Sequence, residues 1–555
     1  MKKKYVFGTV LAVLAALLAA PQKAPAADKE LAPAIVISIA SIDEQFLDIA
    51  YIAKAMEAPL EVQLGLGFAK AMVPQGIDTS KPMGAYVTID EDENIQQGFF
   101  VGVTDLEKAL KGLQAFLPDQ EDLGNGIIKV TSAQGQSIHI KQQGGWAFMA
   151  ENPADLANLP KDPAALLGDL PKKYNIAVQL KAGNVPQELK ATLIGAMKAG
   201  FEETKDQIKL QNPEAAPLVE EFGQAFLEGI EQIITQSDDL MYGIAVDQKT
   251  KSVYLDISIT GKKGTQLAKD LSESNIKSRF SGFALPNAAA SLNIASKLSE
   301  PDVQMILQLI QGGREEALDQ ADDQLQRELL GAIFQVVEKT AEGGKLDGGA
   351  VLLWGDKPGS RTLAFGAHIA DGKALDKTLR KLARQAPRNG PKIRIEAAKY
   401  GGVVFHSATF PIPDRERARE FLGDTAELTV GTSDDSVYVA IGNDTIATLK
   451  KVIDASKKNK DKTSPPLQLT ISAAAALDLV ASIDGNEDLK ALAESLHQFQ
   501  GKDKLSLSMS SIKRGTRVRL ELEEGAILAI GKLIQQVIQE RGFPGLPPNA
   551  LETIR

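Results

Sequence analysis

Residues 240–257 and 505–522 run against each other without a gap, 265 positions apart, so that Val253, Leu255 and Ile257 fall on Val518, Leu520 and Leu522. A chain that repeats a stretch of this length is constrained to build one supersecondary unit twice. Further matches keep the same order. Residues 33–41 fall on 286–296, 84–87 on 349–352, and 98–103 on 363–369. The helical pattern 106–113 falls on 375–382, 128–130 on 393–395, and 146–149 on 437–440. The lag changes as loops are inserted, up to 291 at 146 on 437, and then returns to 265. The sequence therefore predicts two tandem homologous units, 33–275 and 280–541.

Each unit carries one outline: a strand, a helical stretch, a hairpin, a helix, further antiparallel strands, a helical region and a last hairpin with a terminal helix. In residues 252–259 every second position is apolar, so one face of a strand should be buried and the other wet. The same alternation marks 392–396 and 517–523. One-sided strands fit antiparallel sheets with helices packed on a face, an α+β fold rather than a doubly wound parallel sheet. The copies differ in their inserts: a long helical stretch at 186–236, another at 315–340, and a polar loop at 407–424.

The N-terminus reads as an address. Lys2, Lys3 and Lys4 precede an apolar run at 5–20, and Ala24-Pro25-Ala26-Ala27 offers small residues where a signal peptidase cuts. The run has 16 residues, short of the ~20 that cross a bilayer. Residues 1–26 are thus expected to be a signal peptide cleaved after Ala26, and the mature chain to be secreted or periplasmic, with no transmembrane segment. Residues 542–555 contain three prolines and read as a loose tail. The chain contains no cysteine, which removes disulfides, thiolate metal sites and cysteine nucleophiles. A net charge of -10 argues against nucleic acid as a partner. This hairpin-and-helix repeat, with a lysine-rich signal and no cysteine, resembles secreted uncharacterised proteins of planctomycete type. The resemblance implies no activity, no cofactor and no site residues.

Tests for chemistry return little. His139, His368, His406 and His497 are scattered without metal-ligand spacing. Asp90-Glu91-Asp92-Glu93-Asn94 begins like a calcium loop, but Ile95 and Val101 occupy the positions that need Gly and Glu, so it reads as a charged hairpin tip. Ser-x-x-Lys occurs at Ser274–Lys277 and Ser510–Lys513 without the companion motifs of a penicillin-recognising enzyme. Gly65-Leu66-Gly67 lacks the third glycine of a dinucleotide loop. Trp146 and Trp354 lie at strand-like positions and read as core or sheet-face residues.

One charged feature is asymmetric. Lys373, Lys377, Arg380, Lys381 and Arg384 share a helix face, opposite Leu375, Leu379 and Leu382. Between 373 and 399 there are nine basic residues and two acidic ones, in an acidic protein. Such a stripe is a candidate site for an anionic ligand or surface. Three function classes follow: a non-enzymatic binding or scaffolding protein, a carrier or sensor of lipid or another apolar ligand, and a carboxylate-based hydrolase. For the second, residues 526–539 place Ile527, Ile530, Ile534, Val537 and Ile538 on one helix face.

Overall fold

A computed structural model describes residues 32–541 except 212–215, 273–274, 322–323, 355–360, 386–389, 413–418, 420–421, 460–461 and 500. The signal segment 1–26, the tail 542–555, Ser274 and Arg388 lie outside the described residues. The chain divides by compactness into residues 32–47, 64–202 and 238–243, and residues 48–63, 203–237 and 244–541.

In the first part β1 (Ile35–Ile39) leads into α1 (Ile42–Ala55) and α2 (Leu60–Ala71). The chain returns as β2 (Met83–Ile89) and β3 (Ile95–Gly102), then forms α3 (Leu106–Gly112). Next come β4 (Asp119–Asp122), β5 (Ile127–Thr131), β6 (Ser137–Gln143), β7 (Trp146–Ala150) and β8 (Ile176–Lys181). Helices α4 (Gln187–Gln211) and α5 (Ala216–Gln236) precede β9 (Ser237–Asp247), β10 (Ser252–Gly261) and α6 (Gln266–Ser272). Every pairing is antiparallel, and the strand order is β4-β5-β6-β7-β3-β2-β1-β8.

The second half begins with β11 (Ala290–Lys297), α7 (Glu300–Asp319), α8 (Gln324–Glu342), β12 (Lys345–Leu353) and β13 (Thr362–His368). Then follow α9 (Gly372–Gln385), β14 (Lys392–Tyr400), β15 (Val403–Pro411), β16 (Thr425–Thr432), β17 (Ser436–Gly442) and α10 (Thr445–Lys458). It closes with β18 (Leu467–Ser472), α11 (Ala473–Asp484), α12 (Glu487–Leu496), β19 (Lys504–Ile512), β20 (Gly515–Glu523) and α13 (Glu524–Arg541). Its strand order, again wholly antiparallel, is β14-β15-β16-β17-β13-β12-β11-β18-β19-β20-β10. The fold is α+β with a large antiparallel sheet.

Local chemistry explains the element ends. Asp105 caps α3 by accepting from the Lys108 amide at 3.1 Å, and Ser299 with Asp302 forms a capping box on α7. Gly485, in the left-handed region, ends α11, and the Asn486 side chain starts α12. At the β2–β3 tip the Asp90 carboxylate accepts from the amides of Asp92 and Asn94 at 3.0 and 2.8 Å. That carboxylate holds a turn, which is why the acidic run sits at a hairpin.

Aromatic rings fill both cores. Phe100 meets Trp146 edge-on at 5.6 Å and packs with Tyr86 and Phe148. Phe280, Phe283, Phe405 and Tyr438 fill the second core against Leu449 and Val452 of α10. The matched glycines Gly84 and Gly349 make room for these groups. A Cβ at Gly84 would stand 2.7 Å from Leu167, and one at Gly349 would stand 2.8 Å from Phe283.

Three expectations are corrected. Ile128 and Val130 lie on β5, whereas Ile393 and Ile395 lie on β14, the outermost strand, so these segments do not correspond. On β14 residues 392–396 are exposed on both faces, because the strand is paired on one side only and its register with β15 shifts between Arg394 and Ala398. In β10 the alternation is reversed. Ser252 and Asp256 are buried, while Val253, Leu255 and Ile257 are half-buried. The cause is β20: Arg519 bonds both Asp256 oxygens at 2.7 and 2.8 Å and stacks on Tyr254 at 3.7 Å.

Candidate functional site

Helix α9 carries the basic stripe, and its half-buried leucines turn away from solvent. Most of the stripe is matched by acids. Lys373 pairs with Asp434 at 3.1 Å, and Lys381 pairs with Glu328. Arg380 reaches Asp376 at 2.7 Å and Glu396 at 2.9 Å. Farther along, Arg394 pairs with Glu427 and Lys399 with Glu396. Only Lys377 and Arg384 of the five stand exposed without an ion pair among the described residues. The acids Glu328, Glu396, Glu427 and Asp434 come from other elements, so sequence spacing could not reveal them.

Behind the stripe lies a closed polar cluster. His406, 6% exposed, places Nε2 2.8 Å from Asp376 Oδ1, and its Nδ1 accepts from the Glu396 amide at 3.2 Å. Because Nδ1 is the acceptor, the network assigns the proton to Nε2, which donates to Asp376. Thr432 donates to the same carboxylate at 3.3 Å. Burial pulls the Asp376 carboxyl upward, but hydrogen bonds from Arg380 and His406 outweigh it and hold it below the usual carboxylate range. Both ring nitrogens are thus engaged, one by Asp376 and one by the Glu396 amide.

His497 is exposed at the end of α12, and other candidates are engaged in hydrogen bonds. His139 and His368 bond the carbonyls of Glu151 and Asp435 through Nδ1. Trp354 donates to Asp478 at 2.8 Å under a stacked Arg361. Ser510 donates to the Arg517 carbonyl. Among the described residues no group of three His, Asp or Glu could hold a metal ion. Asp155, 1% exposed, is pushed up to about 6, first by burial. Being enclosed, it offers a substrate no access.

A different feature stands open. Helix α2, Leu-Glu-Val-Gln-Leu-Gly-Leu-Gly-Phe-Ala-Lys-Ala, has no buried residue. Leu60, Leu64 and Phe68 share one face by their spacing of four, and Val62, Leu66 and Ala69 fall on the opposite face. Leu60 is 66% exposed, Phe68 71% and Met72 70%. A helix apolar on opposite faces is ordinarily enclosed. The start of α2 is held: Gln535 Nε2 of α13 donates to the carbonyls of Met56 and Glu57 at 3.2 and 3.0 Å, and Lys532 pairs with Glu57 at 2.6 Å. Near its other end Lys70 pairs with Asp43 at 3.3 Å. The hairpin α7–α8, which occupies the corresponding place after β11, also exposes Met305, Leu309, Ile333 and Val337. On α13 Ile527 is buried, but Ile530, Ile534 and Val537 are exposed. Gly65-Leu66-Gly67 lies within α2 and forms no phosphate loop. The alternate-face spacing of Leu60, Val62, Leu64 and Leu66 was the signal that could have found α2.

No helix among the described residues is long and apolar enough to cross a membrane. No protein-family model matches the chain, and comparison with curated proteins finds no similar sequence.

Proposed function

We propose that this chain is a non-enzymatic extracytoplasmic protein that binds a lipid surface through helix α2. The observation that carries the reading is an apolar helix with two opposite apolar faces and no buried residue. A helix sunk to the boundary of headgroups and acyl chains meets apolar groups beneath it and along its flanks, which a helix apolar on more than one side can use. Twelve residues rise ~18 Å, too short for the ~30 Å hydrocarbon core, so α2 lies in the interfacial plane rather than across it. A net charge of -10 disfavours anionic headgroups, so a zwitterionic surface is the fitting one.

Residues 1–26 supply export. Duplication of one unit supplies two successive helices after the first strand of each copy, α1 and α2 after β1 and α7 and α8 after β11. The equal strand orders from β4 to β8 and from β14 to β18 support duplication. So does the register of β10 on β20: Leu255 lies opposite Leu520, the residue 265 positions away that the repeat equates with it. That pairing has the local two-fold relation of two like strands.

Flotation with phosphatidylcholine vesicles tests the reading. Each apolar side chain taken from water contributes about 1.5 kcal/mol or more. Leu64→Gln with Phe68→Gln should therefore weaken partitioning by about 100-fold. Equal flotation of the variant and the wild-type chain, or no flotation of the wild-type chain, would refute it.

A further inference from the structure

Strands β4 and β14 hold the same place in their two strand orders. Each is outermost and is paired on one side only among the described residues, by β5 and by β15. Their charges are opposite. β4 is Asp119-Gln120-Glu121-Asp122, with all four residues exposed. β14 opens Lys392-Ile393-Arg394-Ile395, also exposed throughout. Asp119 and Lys392 have no ion-pair partner among the described residues, while Glu121 shares its charge with Lys129 at 3.7 Å and Arg394 with Glu427 at 2.6 Å.

An unpaired edge is a template for another strand, and charge on the edge decides which strand it accepts. Three acids on β4 repel a second β4, and two bases on β14 repel a second β14. The cross pairing is attractive. The usable lengths agree, because the register shift after Arg394, with Glu396 at φ +52°, ends the straight part of β14 about where β4 would end. The molecule already pairs strands on this chemistry, since Asp256 of β10 is held by Arg519 of β20.

We propose that β4 of one molecule adds to the free edge of β14 of a second copy of this chain. Asp119 and Glu121 then share a face with Lys392 and Arg394, while Gln120 and Asp122 fall on the side of Ile393 and Ile395. Because the two patches differ, each molecule keeps one edge of each kind, and the association is head to tail. A contact four residues long held by exposed charges is weak and is screened by salt.

Sedimentation velocity of the full chain over a wide concentration range, at low and high salt, tests this. The weight-average mass should rise with concentration at low salt and fall back at about 0.5 M salt, where the screening length shrinks to a few ångströms. Asp119→Lys with Glu121→Lys and Asp122→Lys makes both edges basic; Lys392→Glu with Arg394→Glu makes both acidic. Each variant alone should lose association by at least tenfold, and an equimolar mixture of the two should recover it. Circular dichroism checks that both variants remain folded. Three results would overturn the proposal: a wild-type chain monomeric throughout, variants that associate on their own, or a mixture that stays monomeric. Association through the apolar α2 would give the second result and would strengthen rather than weaken with salt.

Discussion

Asp155 is a buried carboxylate, and replacing it by Asn should stabilise the chain at neutral pH. It sits 1% exposed in a single helical turn, and among the described residues neither its Oδ2 nor the neighbouring Tyr86 hydroxyl has a hydrogen-bond partner. Burial, aided by the charge of Glu151, raises its carboxyl from 3.8 to about 6. Burial and the charge of Asp155 in turn push Tyr86 up to about 12. A folded-state value above the unfolded one means that the folded chain holds the proton more tightly. The stability this group contributes is therefore fully present below pH 3.8 and is lost as pH rises through about 6. A shift of roughly two units corresponds to about 3 kcal/mol between the two limits. Asp155→Asn is neutral at every pH and escapes this loss. Urea unfolding of variant and wild-type chains at pH 4 and pH 7.5 measures the effect as a difference of differences. The variant should gain about 2–3 kcal/mol relative to wild type on going from pH 4 to pH 7.5. A variant whose stability difference is the same at both pH values would refute the reasoning.

Two other perturbations follow from the packing. The β10–β20 pair holds a fully buried Asp256 carboxylate with Arg519, whose guanidinium is raised above its ordinary value first by that hydrogen bond. Arg519→Met should cost about 3–5 kcal/mol in urea unfolding, whereas Asp256→Leu combined with Arg519→Met should recover most of it; equal losses would contradict a desolvation origin. Gly349→Ala sets a Cβ 2.8 Å from the Phe283 ring and should cost about 1–3 kcal/mol by overpacking, read as a lowered thermal midpoint.

The antiparallel pattern was readable where alternation met a real one-sided strand, as at 146–149 on β7, which pairs with β3, and 437–440 on β17, which pairs with β13. Alternation misled at β14, because Ile393 and Ile395 look core-facing in a list of residues but belong to a strand with a single neighbour. It misled again at β10, where an arginine supplied by β20 buries the polar side. The basic helix was legible as a stripe, but its neutralising acids are distant in sequence, Glu328 and Asp434 among them. Helix α2 was missed because its apolar residues do not make one face, the sign by which core helices are read.

Insertion of α2 into lipid is measured most directly with Phe68→Trp. The only native tryptophans, Trp146 and Trp354, are buried and half-buried, so a third at position 68 reports a site now 71% exposed. On adding phosphatidylcholine vesicles, its emission should shift to the blue and become quenchable by bromine-labelled acyl chains. An emission spectrum that stays at the water-exposed wavelength, unquenched at vesicle concentrations that saturate flotation, would contradict the account.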